Sequence, residues 1–190
     1  MDLSAISTSQ IVIVAAVATV VVAAGIAVWL SLRGRRTARL RTQFGGAEYA
    51  RAVTEGGGRR KAETALDGRA ERVEGMHIRP LGPGDRARFV ESWSRVQARF
   101  VDGPGGSVTE ADRLLGDVMS TRGYPVGEFE QRAADISVDH PLVLQNYRAA
   151  HRTALRQAKG EASTEELRQA MIHYRTLFEE LVSEPEAARP

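Results

Sequence analysis

The chain has 190 residues, with 26 Lys and Arg against 24 Asp and Glu, and no cysteine. That length holds one ordinary domain with an appendage but not two sizeable cores. The missing cysteine excludes disulfides, thiolate nucleophiles and every cysteine-ligated zinc or iron–sulfur site. The net charge of +2 is unevenly spread, because residues 33–83 carry 12 Lys and Arg against 6 Asp and Glu while residues 84–190 carry 14 against 17.

After an N-terminal tail, residues 1–10, the stretch Ile11–Leu32 reads IVIVAAVATVVVAAGIAVWLSL, 22 residues without a charge. As a helix rising about 1.5 Å per residue it reaches the roughly 30 Å of a hydrocarbon core. Twelve of these residues are Ile, Val or Leu, so insertion into a bilayer is expected to be favourable by several kcal/mol, on the order of 4–7. The competing expectation is a secreted helical protein left after signal-peptide cleavage. A signal peptide has a basic start, a shorter apolar core and a small-x-small cleavage site. Here Asp2 precedes the run and WLSLRGRR follows it.

Orientation follows from charge. Arg33, Arg35, Arg36, Arg39 and Arg41 crowd the C-terminal flank, and the first ten residues contain no Lys or Arg. The positive-inside rule then places the N-terminus outside and the bulk of the chain in the cytoplasm. The same arginines predict contact with anionic headgroups of the bilayer, at about 1 kcal/mol per charge near the surface. Ala15, Thr19, Ala23 and Ala27 recur every fourth residue, a pattern that permits a homodimer through this helix. No nucleic-acid partner is expected, because the basic run sits beside the apolar span and no aromatic platform is interleaved with it.

Residues 33–83 read as a basic juxtamembrane segment and a linker helix. Gly56, Gly57 and Gly58 suggest a flexible hinge, and the Gly-Lys-Ser/Thr that a phosphate loop requires is missing. Ala62, Leu66, Ala70 and Val73 form a narrow apolar seam, which predicts a mostly solvated helix. RPLGPGD then marks the boundary to the next unit.

Residues 84–182 show helical spacing throughout, and residues 183–190 form a tail. Asp85 is placed to cap a helix bearing Phe89, Trp93, Val96 and Phe100. Ser107 and Glu110 have the spacing of a capping box for a second, with Ala111, Leu114, Leu115, Val118 and Met119, which Gly123 and Pro125 end. A third carries Leu142, Val143, Tyr147 and Ala150, and a fourth, opened by Ser163 and Glu166, carries Leu167, Met171, Tyr174, Phe178 and Leu181. The fold class is therefore all-α: one N-terminal transmembrane helix, a linker helix and a compact bundle of about four helices.

The polar run RGYPVGEFEQRAADISVDHP, Arg122–Pro141, lies between the second and third of these. Phe129, Ala133 and Ile136 on one helical face put Glu130, Gln131 and Asp135 toward water, and Pro141 suits the first position of the next helix. Most of the segment reads as architecture. Convergence of Arg132, Asp135, Asp139 and His140 on a ligand, as in an enzyme or a small-ligand sensor, is the alternative. His140 and His151 are separated by about 16 Å along a helix axis, too far to share a metal. No catalytic residues, metal or cofactor are assigned, since His-Glu-x-x-His, nucleophile-elbow and dinucleotide motifs are all missing.

WSRVQARFVDGPGGSVTEADRLLGDVMSTRGYPVGEFEQRAADISVDHPLVLQNYRAAH, followed by LRQAMIHYRTLFEELV, resembles an uncharacterised family of small bacterial proteins with an N-terminal hydrophobic segment and a helical domain. Members are usually described as hypothetical or secreted. The resemblance covers most of the chain after the apolar stretch and rests on RGYP, QRAAD, SVDHP and HYRTLF. Members tend to have a proline at the start of the FG.EY stretch, where this chain has Gly46 and Ala47. The resemblance implies no activity, cofactor or site residues. The expectation is thus a bacterial inner-membrane, single-pass protein, holding a helical interaction module near the cytoplasmic face for a protein partner.

Overall fold

A computed structural model describes residues 8–125 and 127–183, with side chains from residue 16 onward. The described residues form eight helices and no strand: α1 (Thr8–Gln43), α2 (Gly45–Glu55), α3 (Arg59–Glu74), α4 (Pro83–Arg99), α5 (Pro104–Arg122), α6 (Phe129–Asp139), α7 (Pro141–Gln157) and α8 (Thr164–Ser183). Most of the two expected tails, residues 1–7 and 184–190, lies outside the described residues, as does the side chain of Ala15. The chain divides into two compact units between Thr42 and Gln43.

In the first unit the charge-free stretch and the arginines that follow belong to one continuous helix. Nothing between Leu32 and Gln43 breaks it, since Arg, Ala and Leu are good helix formers and a single Gly34 is tolerated. Over 36 residues α1 measures about 54 Å, well beyond the roughly 30 Å of a hydrocarbon core. Among the described residues it is the helix long and apolar enough to cross a membrane, by length and composition, over Ala16–Gln43. Val17, Val20, Val21, Val22, Ile26, Val28, Leu30 and Leu32 are all exposed. The Arg33 guanidinium sits 5.2 Å above the Trp29 ring.

The second unit buries its core among α4, α5, α7 and α8, with α6 packed on α7. Trp93 of α4 stacks on Phe178 of α8, with centroids 4.7 Å apart, and Tyr147 of α7 meets Phe129 of α6 at 4.9 Å and Tyr174 of α8 at 6.2 Å. Leu115, Val118, Leu144, Leu177 and Leu181 fill the space between them. Leu142, expected on the inward face of α7, is exposed, and Leu144 is buried instead.

Helix ends follow local chemistry where it is strong. Ser163 and Glu166 form the expected capping box: Glu166 N–H donates to Ser163 Oγ at 3.3 Å, and Ser163 N–H donates to Glu166 Oε2 at 2.8 Å. Gly123 ends α5 at φ +101°, and a Cβ there would lie 2.5 Å from the His77 carbonyl oxygen, so only glycine fits. Two expected caps are corrected. α4 starts on Pro83, which places Asp85 inside the first turn, and α5 starts on Pro104, which places Ser107 one turn inside and buried. In both, proline at the first position presets the helical φ and moves the start upstream.

The linker is also corrected. α3 packs against α2 and α6, buries Ala62, Leu66 and Val73, and is part of the same compact unit as the bundle. Gly57 and Gly58, at φ +70° and +122°, build the tight reversal between α2 and α3. The RPLGPGD stretch is pinned as well, with Arg79 N–H donating to the Arg122 carbonyl at 2.8 Å. The seam was too narrow to reveal this, because much of the α3 interface is ionic rather than apolar.

Candidate functional site

Phe44, the N-cap residue of α2, and Glu48 and Ala52 within it recur at four-residue spacing, and all three are buried. A carboxylate on a buried face needs compensation. Glu48 receives it from three arginines on two helices and its own: Arg69 Nη1 donates to Oε1 at 2.8 Å, Arg148 Nη2 approaches Oε1 at 3.4 Å, and Arg51 Nη1 lies 3.9 Å from Oε2. Gln145 Nε2 adds a contact at 3.4 Å. Arg148, also buried, donates through Nη1 to Glu130 Oε2 at 2.6 Å, and Arg51 bonds Glu55 at 2.8 Å and approaches Glu130 at 3.5 Å. Burial pushes the Glu130 carboxyl up, but the Arg148 hydrogen bond and the charges of Arg148 and Arg51 outweigh it and hold its pKa below the ordinary value.

Next to this network a cleft of about 490 Å³ opens between α2, α6 and α7. Its polar lining is Arg51, Glu55, Glu128, Glu130, Gln145, Arg148 and Arg152, and Phe129, His151 and Leu155 complete it. The His151 ring is fixed from two directions. It lies flat on Phe129, with centroids 3.6 Å apart and planes 3° apart, and its Nδ1 is 3.3 Å from Asp112 Oδ1. The Asp112 carboxylate also accepts the Tyr174 hydroxyl at 2.8 Å. Burial raises the Asp112 pKa, yet the hydrogen bonds from His151 and Tyr174 prevail and it ends below its ordinary value. Three carboxylates, of Glu55, Glu128 and Glu130, and three guanidinium groups, of Arg51, Arg148 and Arg152, stand among the lining residues, an arrangement suited to holding a charged group.

The chain matches no family model, no curated protein and no solved structure.

The four side chains named from the sequence do not converge. Arg132 bears on Asp112, Tyr147 and Tyr174. Asp135 is buried, not solvated, and accepts from Arg72 Nε at 3.1 Å and Gln131 Nε2 at 2.8 Å. Asp139 accepts the Tyr124 hydroxyl at 2.9 Å, and His140 Nδ1 faces Glu180 at 3.4 Å. Arg132, Asp135 and Asp139, spaced by three and four, share one side of α6, but they are spread over about 10 Å of its axis and His140 lies beyond its end, so they meet different neighbours. Among the described residues no group of three or more His, Asp and Glu is placed to hold a metal. The residues that do form a site, Arg51, Glu130, Arg148 and His151, had one legible signal: Leu144, Arg148, His151 and Leu155 recur at helical spacing, a cation and an imidazole on an apolar stripe.

His140, buried, occupies the N-cap position of α7 without a side-chain capping hydrogen bond, and burial pushes its pKa below the ordinary 6.5, against the pull of nearby Glu180 and Asp139 and with that of Arg122. The unfolded chain therefore takes up a proton that the folded one refuses, and stability falls as pH drops through 6.5 until the lower folded value is passed. His140→Asn, which removes the titrating ring and puts a favoured N-cap residue in its place, is expected to flatten the decline of the thermal midpoint between about pH 7 and pH 5. Thermal unfolding followed by circular dichroism across that range checks it; equal slopes in the two proteins contradict the assignment.

Proposed function

We propose that this chain is a single-pass protein of the bacterial inner membrane that tethers the helical unit from Gln43 onward at the cytoplasmic face, where it works by binding a protein partner. The observation that carries this is α1: a charge-free stretch whose apolar side chains are exposed from Val17 to Leu32, followed without a break by five arginines. Such a surface is stable in hydrocarbon and costly in water. Helix geometry spreads Arg33 to Arg41 over about 12 Å, so the first of them meet the headgroups and the last extend toward the cytoplasm. The second unit supports a binding role through its built surface of paired charges and the cleft they line.

The expected result is that the protein stays in the membrane fraction after a high-salt wash and that a reporter fused after Pro190 is active only in the cytoplasm. Replacing Arg33, Arg35 and Arg36 with glutamine should move a measurable share of the reporter to the other side, because these charges supply much of the asymmetry. Efficient periplasmic activity of the unmodified chain, or release of a shortened soluble form, overturns the topology.

A further inference from the structure

The charges around the cleft differ in how firmly they are held. Arg148 is 5% exposed, Arg69 23% and Arg51 28%, and they surround a single buried carboxylate, Glu48, at 1%. Glu48 balances one of these three cations. The other two are balanced by Glu55 and Glu130, whose side chains are 59% and 68% exposed. A buried guanidinium cannot turn back to water, whereas an exposed glutamate can swing into solvent at small cost. In the cleft Arg148 is thus the fixed positive charge, and the exposed Glu55, Glu128 and Glu130 of the lining are its displaceable negative cover.

We infer that the cleft is a binding site for a small organic carboxylate, whose charged end takes the position Glu130 now fills between Arg148 and Arg51. The same Glu130 oxygen, Oε2, lies 2.6 Å from Arg148 Nη1 and 3.5 Å from Arg51 Nη2, which is the reach a ligand carboxylate needs. Arg152, on the rim, has no ion-pair partner among the described residues and adds a third cation. The ligand's body lies along the Phe129–His151 stack and Leu155, an apolar wall held rigid by Asp112 behind the imidazole. At about 490 Å³ the cleft takes a benzoate-sized molecule. Glu130 acts as an internal competitor that keeps the arginines neutralised until a ligand arrives.

Benzoate is the probe, with acetate as its bodyless control, titrated into the full chain in detergent micelles. The chain has four histidines, so the His151 Hε1 resonance can be assigned with a His151→Asn variant. Benzoate is expected to shift that resonance saturably, and acetate to bind at least about tenfold more weakly, the equivalent of about 1.4 kcal/mol. Glu130→Gln, which keeps an oxygen for Arg148 and removes the competing charge, should tighten benzoate by about tenfold, and Arg51→Gln should weaken it by a similar factor. A non-saturating shift, equal affinity for acetate and benzoate, or unchanged or weaker binding in Glu130→Gln overturns the inference. Should Glu130→Gln fail to fold, Arg51→Gln decides alone: unaltered affinity there also overturns it.

Discussion

Trp93→Ala is expected to cost about 3–5 kcal/mol of unfolding free energy, a large share of what a domain of this size possesses. The indole is buried on α4 and stacks on Phe178 of α8 at 4.7 Å with planes 13° apart. It joins a helix from the start of the bundle to the one that closes it, so truncation removes both its own transfer free energy and the packing of its partner. Val96 and Phe89 flank it on the same face of α4. Both are buried among other core side chains, and a residual cavity is expected. Urea unfolding of the full chain in micelles, followed by circular dichroism, measures the effect, because α1 stays helical in detergent while the second unit melts. A loss under about 1 kcal/mol would place the indole in a yielding site rather than at the centre of the core.

Glu48→Ala should be about as damaging, near 3–5 kcal/mol, for an electrostatic reason. Glu48 is the buried carboxylate that neutralises Arg69 at 2.8 Å and Arg148 at 3.4 Å, and removing it leaves the deeply buried Arg148 with Glu130 alone. The loss should be almost independent of salt, since buried pairs are weakly screened. Glu48→Gln, which keeps an acceptor but not the charge, should fall between. The same logic sets where the folded unit begins. A fragment starting at Leu81 lacks α2 and α3, and so leaves Arg148 with Glu130 but without Glu48, and Asp135 with Gln131 but without Arg72. The same urea titration run at low and high salt decides the point: an effect that vanishes in salt would mean Glu48 is solvated in solution.

Local chemistry was sufficient for a large part of the architecture. The apolar run of α1, the period of 3.6 in α4, α5, α7 and α8, the Ser163–Glu166 cap, the stop at Gly123 and the start at Pro141 all depend on residues within about four positions of one another, the reach of a helical turn. Where two local signals competed, as Pro83 against Asp85 and Pro104 against Ser107, the covalent constraint of proline outweighed a side-chain hydrogen bond.

The placement of α3 and the identity of the cleft were decided only by the tertiary structure. Whether a charge on a helix faces water or a partner depends on what the rest of the chain brings opposite it. Arg72 meets Asp135 across 63 residues of sequence and Arg148 meets Glu48 across 100. No periodicity encodes those pairings, because Glu, Asp and Arg look alike on a solvated face and on an ionic interface until burial distinguishes them. For the same reason Arg132, Asp135, Asp139 and His140, neighbours in sequence, were given different partners by what packs along α6 and past its end, while Asp112, Phe129 and His151, far apart in sequence, were brought together by the packing of three helices.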